Sequence, residues 1–204
     1  MNPIRGWMVL AAALAAAGCS DSTGGPATRT DAELTFTRPA ATAAPLSTDS
    51  VSMWAVVGQD REMHLYYLPR PGESSGQLCL RFRVRARSLF QRPDGTGFGA
   101  NDSIRITLRV IDLEKQVFDF EPAGLRFNAS EPAELQVRLV ERDHDFNGDG
   151  VVTAADTTIQ TQQLSVWRRE DAGRPWVKQS SASSLDQDDV ETEIFGFTHY
   201  VVAF

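Results

Sequence analysis

The chain has 204 residues, 42% hydrophobic and 23% charged, with 20 Lys and Arg against 27 Asp and Glu for a formal net charge of -7. That is enough apolar material for one sizeable core. The acidic excess excludes a nucleic-acid footprint, which needs clustered basic side chains to meet the phosphates, and leaves no polybasic contact for a membrane.

The first residues read MNPIRGWMVLAAALAAAGCS. Arg5 supplies a positive start, and the apolar stretch from Trp7 to Ala17 falls short of the ~20 residues a membrane span requires. Small residues lead into Gly18-Cys19. This stretch resembles the lipobox of bacterial lipoproteins, with Ala16 where that family places Leu. The resemblance implies a signal peptide over 1–18 and lipidation of Cys19. An ordinary secretory signal cleaved after small residues is the alternative. With acyl chains on Cys19, each buried CH₂ adds about 0.8 kcal/mol of membrane affinity. The expected location is then the bacterial cell envelope, at the outer membrane or cell surface. The chain has 2 Cys, so a lipidated Cys19 leaves Cys79 alone and no intrachain disulfide is available. Cys79 sits in the strand-like run QLCLRFRV and reads as a packed structural thiol.

Residues 19–50 are dominated by Ser, Thr, Pro, Ala and Gly. Such a segment buries too little surface to offset its ordering entropy, so most of it is expected to be a flexible tether, with AELTFTR as its strand candidate. From Val51 the pattern has period two. SMWAVVG and MHLYYLP are short apolar runs, the second stopped by Pro69. LCLRFRVRARSL alternates: Leu80, Phe82, Val84 and Ala86 face one way, and Arg81, Arg83, Arg85 and Arg87 the other. SIRITLRVID repeats the pattern with Ile104, Ile106, Leu108 and Val110. FDFEPAGLRF, AELQVRLVE, QLSVWRRE, PWVKQ and EIFGFTHYVVAF follow, and a single short helix is expected around Ala154 to Gln163. The spacing predicts a mainly β fold, a single antiparallel β-sandwich over 51–204.

Three of these stretches, RVRARSL, EPAGLRFNASEPAELQVRL and GFTHYVVAF, resemble the ZU5-type domain. The central block matches at Pro122, Gly124, Leu125, Phe127, Pro132, Ala133 and Leu135, and the last at Phe197, Thr198, Tyr200, Val202 and Ala203. In the first block Arg85 stands where the family has Pro. The resemblance covers about Leu78 to Phe204 and implies a ZU5-like sandwich of the kind carried by bacterial lipoproteins. Some members of that family cut themselves at a His-Phe-Ser motif. Here Gly196 replaces the His and Thr198 the Ser, so the base is missing and a closing strand is expected.

The stretch DHDFNGDGVVTAAD, Asp143 to Asp156, carries the metal chemistry. Calcium takes six to eight hard oxygens from a sharply turning loop. Counted from Asp145, the ligand positions are Asp145, Asn147, Asp149, the Val151 carbonyl, Thr153 and Asp156, with Gly150 at the turn and Val152 as the apolar residue expected to pin the loop to the core. A register from Asp143 fails, since it puts Ala154 at the last ligand. The final Asp, where EF-hands use Glu, resembles the dockerin type of loop. A loop closed by Asp and Asn side-chain turns, with no metal, is the alternative. The preceding AELQVRLVE reads as a strand and there is one loop, not a pair. Ca²⁺ is therefore expected to clamp a strand-to-strand excursion, with the weak ~10⁻⁴ to 10⁻³ M affinity of extracellular modules.

Enzyme motifs are thin. GESSG at Gly72 to Gly76 matches the nucleophile-elbow spacing at Ser74, but strand-like sequence follows where a helix is needed. GTGFG at Gly95 to Gly99 reads as a hairpin tip, and His64, His144 and His199 show no zinc spacing. The chain is read as non-catalytic: a binding or structural module held to the membrane by lipid on Cys19, with an envelope protein or polysaccharide as partner. An accessory sugar- or protein-binding role would use Trp54, Tyr66, Tyr67, Trp167 or Trp176 as an aromatic platform, the alternative being that these rings fill the core.

Overall fold

The computed structural model describes residues 25–204, so the expected signal peptide and Cys19 lie outside the described residues. The first half contributes β1 (Thr28–Arg29), β2 (Ser50–Val56), β3 (Arg61–Tyr66), β4 (Leu78–Val84), β5 (Leu89–Gln91), β6 (Ser103–Asp112) and β7 (Val117–Glu121). Then come β8 (Arg126–Phe127), β9 (Ala133–Arg138), α1 (Ala154–Gln162), β10 (Ser165–Arg169), β11 (Trp176–Lys178), β12 (Ser181–Ser184), β13 (Asp189–Ile194) and β14 (His199–Ala203). A seven-stranded sheet, β1-β11-β10-β14-β7-β6-β2, packs on a five-stranded one, β12-β13-β9-β4-β3, and β5 pairs with β8 in a small ribbon. The named pairings are antiparallel, as the short alternating runs require.

Alternation decides what the two layers bury. Ile106 and Leu108 on β6, Leu80, Phe82 and Val84 on β4, and Leu135 and Val137 on β9 all point between the sheets and are buried. Phe82 meets Phe120 across the interface with ring centroids 5.0 Å apart, and Phe197 lies 5.2 Å from Phe120 and 5.6 Å from Phe82. The Arg81–Arg83–Arg85 face is solvated as expected, and it is also paired. Arg83 reaches Asp60 at 2.6 Å, Arg81 lies 3.5 Å from Glu191, and Arg85 bonds Glu134. Pairs this exposed are worth about 0–1 kcal/mol each, so they set strand register more than stability.

Several expectations are corrected. The run predicted to reach Leu89 stops at Val84. Ala86 then sits in a turn and its amide donates to Asp60, so it has no place in the inward row. EIFGFTHYVVAF is not one strand. Ile194 ends β13 in one sheet, β14 starts at His199 in the other, and the corner between them carries the chain across the sandwich. SASSLDQDDVETEI, too polar to suggest a hairpin, forms β12 and β13 with Val190, Thr192 and Ile194 turned inward.

The tether boundary also moves. From Thr28 the chain is bound to the body: β1 pairs with β11, Phe36 bridges to Ala203, Pro39 to Arg142, and Leu46 to Tyr67. Leu34 is buried with Val117, Trp167, Trp176 and Val201 on the outer face of the large sheet. A few apolar anchors and backbone pairing therefore fix a segment whose average composition suggested a tether.

Candidate calcium loop

The excursion between β9 and β10 runs through this loop and α1. The Asp145 carboxylate accepts three successive amides, with Oδ1 taking Gly148 (2.8 Å) and Asp149 (3.1 Å) and Oδ2 taking Gly150 (2.8 Å). That wrap needs a left-handed bend, supplied by Gly150 at φ +89°. Asn147 Oδ1 accepts the Asp149 amide at 2.9 Å, and Asp149 Oδ1 accepts the Val151 amide at 3.0 Å. Asp156 closes the loop: Oδ1 accepts the Asn147 amide (3.0 Å) and Oδ2 the Thr153 amide (2.8 Å). The Asn147 amide is the first cause holding the Asp156 carboxyl below the ordinary carboxylate value, with the Thr153 amide second.

The same two residues start the helix. Thr153 is the N-cap of α1, its hydroxyl accepting the Ala155 amide, and Asp156 completes a capping box. Helix α1 ends at Gln162 with Gln163 as its cap, matching the expected span to a residue. The six predicted ligand positions thus lie on one loop-and-cap unit. Val152 does not pin it. Both Val152 (66% exposed) and Val151 (59%) project into solvent. The anchor is Phe146, buried, with its ring 6.3 Å from Phe204 and 5.7 Å from His144. The phenyl ring carries more apolar surface than a valine and lies against Phe204, just past the end of β14, so it takes the core position.

Asp143 and His144 flank the loop, as predicted. Asp143 accepts the Asp145 amide (3.1 Å) and lies 3.5 Å from Arg38. His144 Nε2 lies 3.0 Å from Asp188, a hydrogen bond that raises the imidazole pKa. Among the described residues, no three His, Cys, Asp or Glu side chains come together in a metal-holding group. In this geometry the loop's side-chain oxygens are satisfied by amides. Their chemistry still fits Ca²⁺. They are hard oxygens in ligand order around a glycine bend, and each carboxylate keeps lone pairs beyond those its amides use.

The other candidates separate. Ser74 is on an exposed loop joining β3 directly to β4, with strand on both sides. Gly95 to Gly99 lie in the β5–β6 connection. Thr198 is buried and its hydroxyl donates to the Arg169 carbonyl. Tyr67, Trp167 and Trp176 are buried, which leaves Trp54 and Tyr66 as the exposed members of the aromatic set. Cys79 is buried and desolvation pushes its thiol up to about 11, as befits an inert core residue.

One cluster was not legible in the sequence. The Gln116 amide donates to the Tyr67 hydroxyl at 2.9 Å, and the Cys79 thiol lies 3.9 Å from Gln116 Oε1. Arg142 is 2% exposed, and one guanidinium nitrogen donates to the Thr37 carbonyl at 3.3 Å. Among the described residues its Nε and Nη2 find no partner, and burial lowers its pKa to about 10. The neighbouring Glu141, equally buried, is paired with Arg70 at 2.7 Å. The charged run ERDHD gives no hint that one of its two leading charges is matched inside the body and the other is not.

Compared with known protein families, curated proteins and solved structures, the chain matches none. What the fold and the loop define is an antiparallel β-sandwich with one loop-and-helix excursion.

Proposed function

We propose that this protein is a lipid-anchored, non-catalytic module of the bacterial cell envelope, with a ZU5-like sandwich in which Ca²⁺ clamps the excursion between β9 and β10. The observation that carries the reading is the Asp145 carboxylate wrapped by the amides of Gly148, Asp149 and Gly150. That bend sets the side chains of Asn147 and Asp149 at the alternate loop positions a hard cation uses. When bound, the ion would offset two of the three negative charges that Asp145, Asp149 and Asp156 bring to the loop. It supplies no reaction, and no entering helix pairs with α1 to open a groove. The resemblance of Gly18-Cys19 to a lipobox supports the anchor.

The test is melting in 10 mM calcium and in chelator, for wild type and Asp149→Ala. With an affinity of about 10⁻⁴ to 10⁻³ M, calcium stabilises wild type by roughly 1.4–2.7 kcal/mol, a rise of roughly 3–10 °C for a chain of this size. The variant shows no rise. Equal melting in all four samples would defeat the calcium assignment.

A further inference from the structure

We infer that the end of the sandwich bearing the calcium loop lies against a phospholipid bilayer, an orientation that rests on the lipidation of Cys19 proposed above. The strand registers define that end. Asp112 of β6 meets Val117 of β7, Ser165 of β10 meets Ala203 of β14, and Arg138 of β9 meets Asp189 of β13. Cys79 at the start of β4 approaches Gln116 in the β6–β7 turn, so the corresponding ends of both sheets coincide. The β6–β7 turn, the β3–β4 loop, the β12–β13 turn and both attachments of the calcium excursion therefore share one end.

The chain also enters there. Ala27 accepts the amide of Lys178, the last residue of β11, whose partner β10 starts at this end. From Cys19 to Gly25 the fully extended reach is about 20 Å. Bound lipid would thus hold this end close to the headgroups.

The exposed apolar side chains follow the same bias. Of the ten large exposed hydrophobics among the described residues, seven lie here: Tyr66, Leu68, Ile111, Leu113, Val151, Val152 and Leu185. Phe90 and Phe195 sit at the opposite end. Leu113 occupies the β6–β7 turn and Leu185 the β12–β13 turn, and these two with Val151 and Val152 are tips that nothing in the body covers. Apolar tips on several separate loops, on the face that a short lipid tether presents, match the shallow interfacial burial of peripheral membrane proteins. The acidic loop beside them argues against an anionic surface in the absence of a cation. Bound calcium would offset two of the three negative charges of Asp145, Asp149 and Asp156 and so ease the approach of the valines.

The experiment uses full-length lipidated protein in bromolipid-containing phospholipid vesicles with calcium. Single labels that report polarity are placed through Leu113→Cys, Val152→Cys, Leu185→Cys and, at the far end, Phe90→Cys. Cys79 is buried and stays unlabelled. The first three labels are expected to shift to the blue and to be quenched roughly twofold or more relative to the fourth, as interfacial burial requires. Floating vesicles whose four labels report the same aqueous environment overturn the inference alone. Protein that fails to float with vesicles overturns the anchoring reading, and the orientation with it.

Discussion

Replacing Arg142 by Met is expected to stabilise the protein. The guanidinium is 2% exposed, faces no carboxylate and leaves Nε and Nη2 unpaired. Moving its pKa from the ordinary 12.5 to about 10 corresponds to a cost of about 3 kcal/mol for keeping it charged in the folded state. Against this, the Thr37 carbonyl loses its donor at 3.3 Å, a loss of about 1.5–3 kcal/mol for a bond to a charged group. Met keeps the unbranched stem and fills the space with polarizable atoms, so the net gain is about 1 kcal/mol, in line with other exchanges of buried charge for apolar volume. The folded-state pKa is depressed, so the penalty is complete at pH 7 and fades as pH rises through about 10. Urea unfolding at both pH values measures it: the variant leads wild type at pH 7, and the gap narrows at pH 10.5. A variant less stable than wild type at pH 7, or a gap indifferent to pH, refutes the reasoning.

Two further substitutions test the fold itself. A Cβ on Gly76 would lie 1.7 Å from the Tyr67 carbonyl oxygen, so Gly76→Ala must displace the β3–β4 connection, and chemical denaturation should show a loss of about 1–3 kcal/mol. Phe82→Ala empties the centre of the Phe82–Phe120–Phe197 contact, and the same assay should give a loss of about 3–5 kcal/mol without change of fold by circular dichroism.

Strand β6 and helix α1 were legible because their signals are local. Ile106, Leu108 and Val110 alternate without interruption, and Thr153 with Asp156 is a capping pair at fixed spacing. The loop was legible for the same reason, since Asp145, Asn147, Asp149 and Gly150 act on one another within six residues. What was not legible depends on partners far along the chain. Leu34 and Phe36 are two apolar residues in a polar segment until Trp167, Trp176 and Val201 are placed beneath them. Val152 carries the right hydrophobicity for an anchor, but Phe146 reaches Phe204 first. Arg142 follows Glu141 in a charged run, and only the arrival of Arg70 from the β3–β4 loop at Glu141, with the Thr37 carbonyl alone at Arg142, decides which charge is matched.

The position of β14 has a consequence for how the molecule is assembled in time. It is the fourth strand of the large sheet, between β10 and β7, yet the last of the described strands in chain order. Before residues 199–203 are available, the group β1-β11-β10 and the group β7-β6-β2 share no neighbour. The folding chain therefore carries two unjoined half-sheets until β14 is inserted, and that closing step is a long-range insertion of the slow kind. Such a sheet stays open while the rest of the sandwich forms and locks only when the keystone drops between the halves.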